Sequence, residues 1–132
     1  MDGPEPPGSV RTKAQQAGDA AESLVAAHLT DAGWTILARN IHVGRREIDL
    51  VAVDPGPPAN LVFVEVRWRS RRDFGLPEET VDHHKRTRIH QAAFSLLERE
   101  GLPRLPLRFD LIVVEPGHWR GEPQVRHHRA AF

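Results

Sequence analysis

The sequence predicts a single α/β domain with a mixed central sheet, in the order α-β-β-β-α-β. Three observations predict it. Two long segments repeat apolar residues at helical spacing, and four short ones are dense in β-branched and aromatic residues. Clusters of Gly and Pro separate them, and 132 residues leave room for one core rather than two.

Residues 1–15 are rich in Pro and Gly and are expected to form a disordered tail ahead of a domain spanning 16–115. "QQAGDAAESLVAAHLTDAGW" then reads as a helix of about four turns. Ala17, Ala21, Leu24, Val25, Leu29 and Ala32 make its apolar face, and Gly33 is a stop signal. "WTILARNI" (34–41), "REIDLVAV" (46–53) and "LVFVEVRW" (61–68) read as strands, the last two joined by the turn-forming "DPGPPAN". "SRRDFGLPEETV" is a loop. A second helix is expected from a cap at Asp82 to about Glu100, with Ile89, Ala92, Ala93, Leu96 and Leu97 facing inward. "GLPRLP" breaks it, and "LRFDLIVVE" (107–115) is the last core strand. The extension 116–132 has the length for an edge hairpin.

Composition narrows the function classes. The absence of cysteine excludes disulfides, zinc–thiolate sites and thiol nucleophiles, and suits a cytoplasmic protein. No apolar run approaches the roughly 20 residues of a membrane span, and the N-terminus lacks a signal-peptide core. No phosphate-loop glycine pattern occurs, so no ATP site is expected. Net charge is zero, yet residues 1–66 carry five basic and nine acidic side chains and residues 67–108 carry ten and six. The sign changes inside "LVFVEVRWRS".

That stretch poses the chemical question, because Glu65 and Arg67 share a strand face with Leu61 and Phe63. A symmetric hairpin about 54–60 sets Val53 opposite Leu61, Val51 opposite Phe63, Asp49 opposite Glu65 and Glu47 opposite Arg67. Directly opposed residues lie on one face with Cβ atoms about 4.5–5.5 Å apart. Two facing carboxylates then need a shared proton or a cation between them. A hard ion such as Mg2+ (or Mn2+) suits this site, with the Val66 carbonyl as a further oxygen ligand. The alternative is a plain ion-pair patch, with Arg67 answering Glu47.

"AGDAAESLVAAHL", "REIDLVAV", "VFVEVRWRS", "HHKRTRI" and "RFDLIVV", in that order, resemble the bacterial YraN family of small endonuclease-like proteins. The closing "RAAF" is similar to that family's C-terminal end. The resemblance implies a restriction-endonuclease-like fold of the PD-(D/E)XK superfamily, close in style to Holliday-junction resolvases. It implies metal-dependent hydrolysis of DNA, branched or damaged DNA included, with Mg2+ or Mn2+ as cofactor. Asp49 and Glu65 match the motif carboxylates, and Glu22 matches a helix glutamate that completes the metal site. Glu47 matches the glutamate of the family's "GEIDL", where Arg46 replaces glycine. Lys85 matches the lysine opening the second long helix, on the face of Ile89 and Ala92. Arg67 stands where the superfamily usually has lysine; it stays charged at any relevant pH and is no general base.

Four further arginines are candidates for the DNA backbone: Arg69, Arg71 and Arg72 in "RWRSRR", and Arg86 in the basic helix start "HHKRTRIH". Trp68 shares the parity of Val62, Val64 and Val66 and is expected in the core, with stacking on a base as the other reading. Asp110 is expected to be structural, paired with Arg108. His83 and His84 are adjacent and diverge on a helix, which argues against a shared metal. Three functions remain: a nuclease, a non-catalytic nucleic-acid-binding module, and an accessory protein whose carboxylates form a structural network. The sequence leaves a homodimer open.

Overall fold

The computed structural model describes residues 12–69, 83–117 and 121–132. Helix α1 (Lys13–Asp31) begins two residues before its expected start. Thr12 accepts from the Gln15 backbone N–H while the Gln15 side chain accepts from Thr12 N–H, a reciprocal cap that satisfies two end donors. It ends through Ala32 and Gly33, whose φ of 93° is left-handed and open to glycine at little cost.

Strands β1 (Thr35–Val43), β2 (Arg46–Asp54) and β3 (Asn60–Trp68) follow as an antiparallel meander. Helix α2 (His83–Glu100) carries the chain over to β4 (Leu107–Glu115), which pairs parallel with β3. Strand β5 (Gln124–His128) then pairs antiparallel with β4 at the far edge. The sheet order is β1-β2-β3-β4-β5, mixed, with one helix on each face. The fold is therefore α/β, in the order α-β-β-β-α-β-β. This arrangement is consistent with a single nuclease-like domain.

Strand alternation builds the two cores. Leu50, Ala52, Val62, Val64, Ile112 and Val114 pack with Ala21, Val25 and Leu29 of α1. Val51, Leu61, Phe63 and Phe109 turn the other way, onto Ala92, Ala93 and Leu96 of α2. Each fully buried Val, Leu or Phe contributes about 1.5–3 kcal/mol. Trp68 departs from expectation: it is 38 % exposed rather than in the core. Val66 is the last residue of its parity to pack against the α1 core, so the strand outruns its cover by Trp68.

A second set of charges ties β5 to the sheet. Asp110, fully buried, accepts from Arg108, from the Ala130 backbone N–H and from the ring of His127. Arg108 also reaches Asp54 at 2.9 Å and lies over the Trp34 ring. Asp110 thus belongs to a structural network with Arg108. Among the described residues, no helix is long and apolar enough to cross a membrane.

Candidate metal centre

The β2–β3 ladder follows the register expected from the 54–60 turn, from Asp54↔Asn60 to Leu50↔Val64. It stops there. Continued by two residues, the count would set Ile48 opposite Val66. Instead the Asp49 side chain takes the Val66 N–H, Oδ2 accepting at 2.8 Å. A carboxylate has replaced a backbone carbonyl in the ladder.

The β1–β2 pairing is interrupted at the same level. Its register shifts between Ile36 and Ala38 and is then constant through Arg39↔Leu50 and Ile41↔Ile48, with Asn40 and Asp49 facing each other between those two pairs. Ala38 and Ile41 pack on the α2 core, as do Ile48 and Val51, so same-face residues are three apart instead of two. Asn40 absorbs the change with φ 51°, a left-handed conformation that asparagine tolerates better than most residues. Asp49 consequently sits in the seam between the layers. It meets Glu22 from α1 on one side, and on the other it lines a cavity with Glu65 of β3 and Arg88 of α2.

Ligand oxygens of Glu22, Glu47 and Asp49 all lie within 4.8 Å of one another. Glu22 is only 8 % exposed, and its Oε2 is buried without a hydrogen-bond partner. The helix residue that could have been a solvated flank is thus buried against β2. Its polar neighbours are the side chains of Asp49 and Asn40, which favour its ionised form. Burial pushes the Glu22 carboxyl upward, with the Glu47 charge adding to it. Asp49 is pushed up to about 8, first by burial and then by the charge and hydrogen bond of Glu22 and the charge of Glu65, against the pull of Val66 N–H. Two buried carboxyl groups this close favour a proton on one of them when no cation is bound.

The other expected residues divide. Arg67 Nε pairs at 3.0 Å with Glu65 on its own strand, and the β2–β3 ladder ends before the level of Glu47 and Arg67. Burial raises the Glu65 carboxyl, and Arg67 and Arg88 oppose it. Glu65 shares the cavity with Asp49 and Glu47 but stands outside the 4.8 Å group. Arg69 leans on Glu115 at 3.5 Å, and Arg86 is exposed on α2. Arg71 and Arg72 lie outside the described residues, as does the Lys85 side chain.

From the sequence Glu47 is a match to the family's "GEIDL" glutamate, or a partner of Arg67 on the ion-pair alternative, and not a metal ligand; Asn40 has no assigned role. An asparagine amid a strand pattern was the available signal, since that residue marks left-handed backbone. All three members of the group offer carboxylate oxygen alone, a donor set that fits a hard cation and disfavours zinc or copper. The partnerless Glu22 Oε2 is an acceptor such an ion would satisfy.

Comparison with known proteins agrees with the resemblance. The model of the uncharacterised protein family UPF0102 matches residues 21–114. A UPF0102 protein of Symbiobacterium thermophilum is 43% identical over 103 residues, covering 78% of this chain and 85% of its own. Another, from Moorella thermoacetica, is 41% identical over 97 residues, covering 74% and 78%. A third, from Anaeromyxobacter dehalogenans, is 42% identical over 118 residues, covering 89% and 84%.

Proposed function

The chain belongs to UPF0102, the YraN family, and we propose that it is a metal-dependent nuclease hydrolysing phosphodiester bonds of DNA. The observation that carries the reading is the convergence of Glu22, Glu47 and Asp49 within 4.8 Å, one of their oxygens buried and partnerless. These three would hold Mg2+ or Mn2+, with Glu65 on the wall of the same cavity. A bound ion of this kind polarises a phosphoryl oxygen and lowers the pKa of coordinated water.

The remaining tasks fall to side chains already in place. Glu65 holds the Arg67 guanidinium by its Nε. In this proposal Arg67 stabilises the negative charge that builds on the phosphate, as a fixed cation rather than as a base. Asp49 and Glu22 give up the proton they share when they take on a ligand role. Arg86 contributes charge for the strand backbone at the exposed surface of α2, where contacts position without reading sequence.

Strand nicking of supercoiled, linear and branched DNA tests this. With Mg2+ or Mn2+ the wild type cleaves at least one of them, and Asp49→Asn does not. Salt-sensitive binding that survives both chelation and Asp49→Asn, without cleavage, would instead assign the non-catalytic role. The tie between Arg67 and Glu65, where the superfamily has lysine, is the feature that favours that second reading.

A further inference from the structure

A cavity of about 340 Å³ opens between the sheet and the N-terminal half of α2, and Asp49 and Glu65 form part of its wall. The rest of the lining divides by chemistry. Phe63, Ile89, Ala92 and Phe132 make an apolar floor. Arg45 in the β1–β2 turn, Arg46 at the start of β2 and Arg88 from α2 supply cations from two sides. Arg45 and Arg88 are exposed, and Arg46 is half-buried. Arg45 and Arg46 also border a neighbouring hollow with Gln91 and Ser95, so the turn faces α2.

We infer that this cavity receives one unpaired nucleobase of the bound strand, with the adjoining sugar-phosphate held by Arg45, Arg46 and Arg88. The inference rests on the nuclease reading and deepens it by naming the substrate class: nucleic acid with an unstacked nucleotide beside the bond to be cut. Three properties lead there. A volume near the bottom of the roughly 300–1,000 Å³ range of ligand sites suits one nucleotide and excludes a duplex. A bare phosphate or ion would use the arginines and carboxylates but has no need of the apolar floor. A flat heteroaromatic ring does, because leaving the stack exposes faces that apolar and aromatic side chains then cover. Phe63 gives that floor a firm back wall, stacked on Phe109 with ring centroids 5.4 Å apart. The half-buried Phe132 offers the more accessible ring.

The test uses full-length protein in chelator, so that no cleavage intervenes. It is titrated against DNA bearing 2-aminopurine in a single-nucleotide bulge, against the matching duplex, and against 2-aminopurine nucleoside monophosphate. The bulged DNA is expected to bind about tenfold tighter than the duplex, with quenching of the 2-aminopurine fluorescence on stacking. Ile89→Trp, which fills the floor, and Phe132→Ala, which removes a stacking ring, should each reduce that preference to about twofold or less. Arg88→Glu, at an exposed position, provides a variant that leaves the core untouched and should weaken the bulged DNA most. Equal affinity for both DNAs with unchanged fluorescence overturns the inference, even if nicking with Mg2+ is seen. The free nucleotide competing as well as bulged DNA overturns the polynucleotide assignment. Intact bulge preference without nicking leaves the cavity assigned and removes the nuclease reading instead.

Discussion

Asp49 and Val66 are joined by a 2.8 Å hydrogen bond in which a side-chain carboxylate accepts what a β-ladder would give to a backbone carbonyl. That substitution opens the β2–β3 seam and leaves Asp49 reachable from both layers of the domain. Asp49 belongs at once to the acidic group with Glu22 and Glu47 and to the wall of the cavity that Glu65 also lines.

Stability should record the proton trapped at this seam. An aspartate raised from 3.8 to about 8 binds more protons folded than unfolded between those values. Its stabilising effect is complete below 3.8 and is lost as pH climbs through about 8. In chelator, the melting temperature should therefore fall from about pH 5 to about pH 9, and Asp49→Asn should flatten that decline. Thermal denaturation at a series of pH values checks it; a wild-type curve that rises over this interval contradicts it.

Asn40 faces Asp49 in left-handed backbone, and its two roles separate by substitution. Asn40→Gly keeps the left-handed backbone but loses the contact to Glu22, so stability should change by less than about 1 kcal/mol while divalent-ion affinity drops. Asn40→Val forces a β-branched residue to φ 51° and should cost about 1–2 kcal/mol besides. Urea denaturation with and without Mn2+ distinguishes the two.

Much of the fold was legible because alternation and helical spacing report burial directly. The β2–β3 register followed from turn length alone as far as Leu50↔Val64. It failed one residue later, where a side chain entered the ladder, an event that no periodicity encodes. Glu47, a partner of Arg67 only on the ion-pair alternative, lies with Glu22 and Asp49 in the acidic group. Trp68 was misplaced for a different reason: parity says which face a residue takes, not whether a helix still covers that face.

The Asp110 network predicts a sharp structural effect far from the candidate chemistry. Against the penalty of burial, bonds from His127, Arg108 and Ala130 N–H hold the Asp110 carboxyl below its usual range. Its contribution is present above pH 3.8 and is lost as pH falls through the lowered value. Asp110→Ala should cost about 3 kcal/mol, toward the lower end for a broken buried pair because Arg108 keeps Asp54. Urea denaturation near pH 7 measures this, and loss of β5 pairing should show in amide exchange at Val125 and Arg126.

Arg67 separates metal binding from catalysis. Arg67→Ala should lower the cleavage rate about 100-fold or more, as removal of an electrostatic stabiliser does, while Mn2+ affinity stays within about twofold. A matched loss of both would make Arg67 a prop for the acidic group rather than a contact to phosphate. Single-turnover cleavage beside metal titration provides the comparison.

The most direct measurement is a Mn2+ titration of the wild type, Asp49→Asn and Glu47→Gln, followed by the paramagnetic signal of the free ion. The wild type should bind Mn2+ at a site that both substitutions weaken at least about tenfold, as removal of an ionised oxygen ligand from a hard-cation site should. Wild-type protein that takes up no Mn2+, or variants that bind it as well, would contradict a metal centre at Glu22, Glu47 and Asp49.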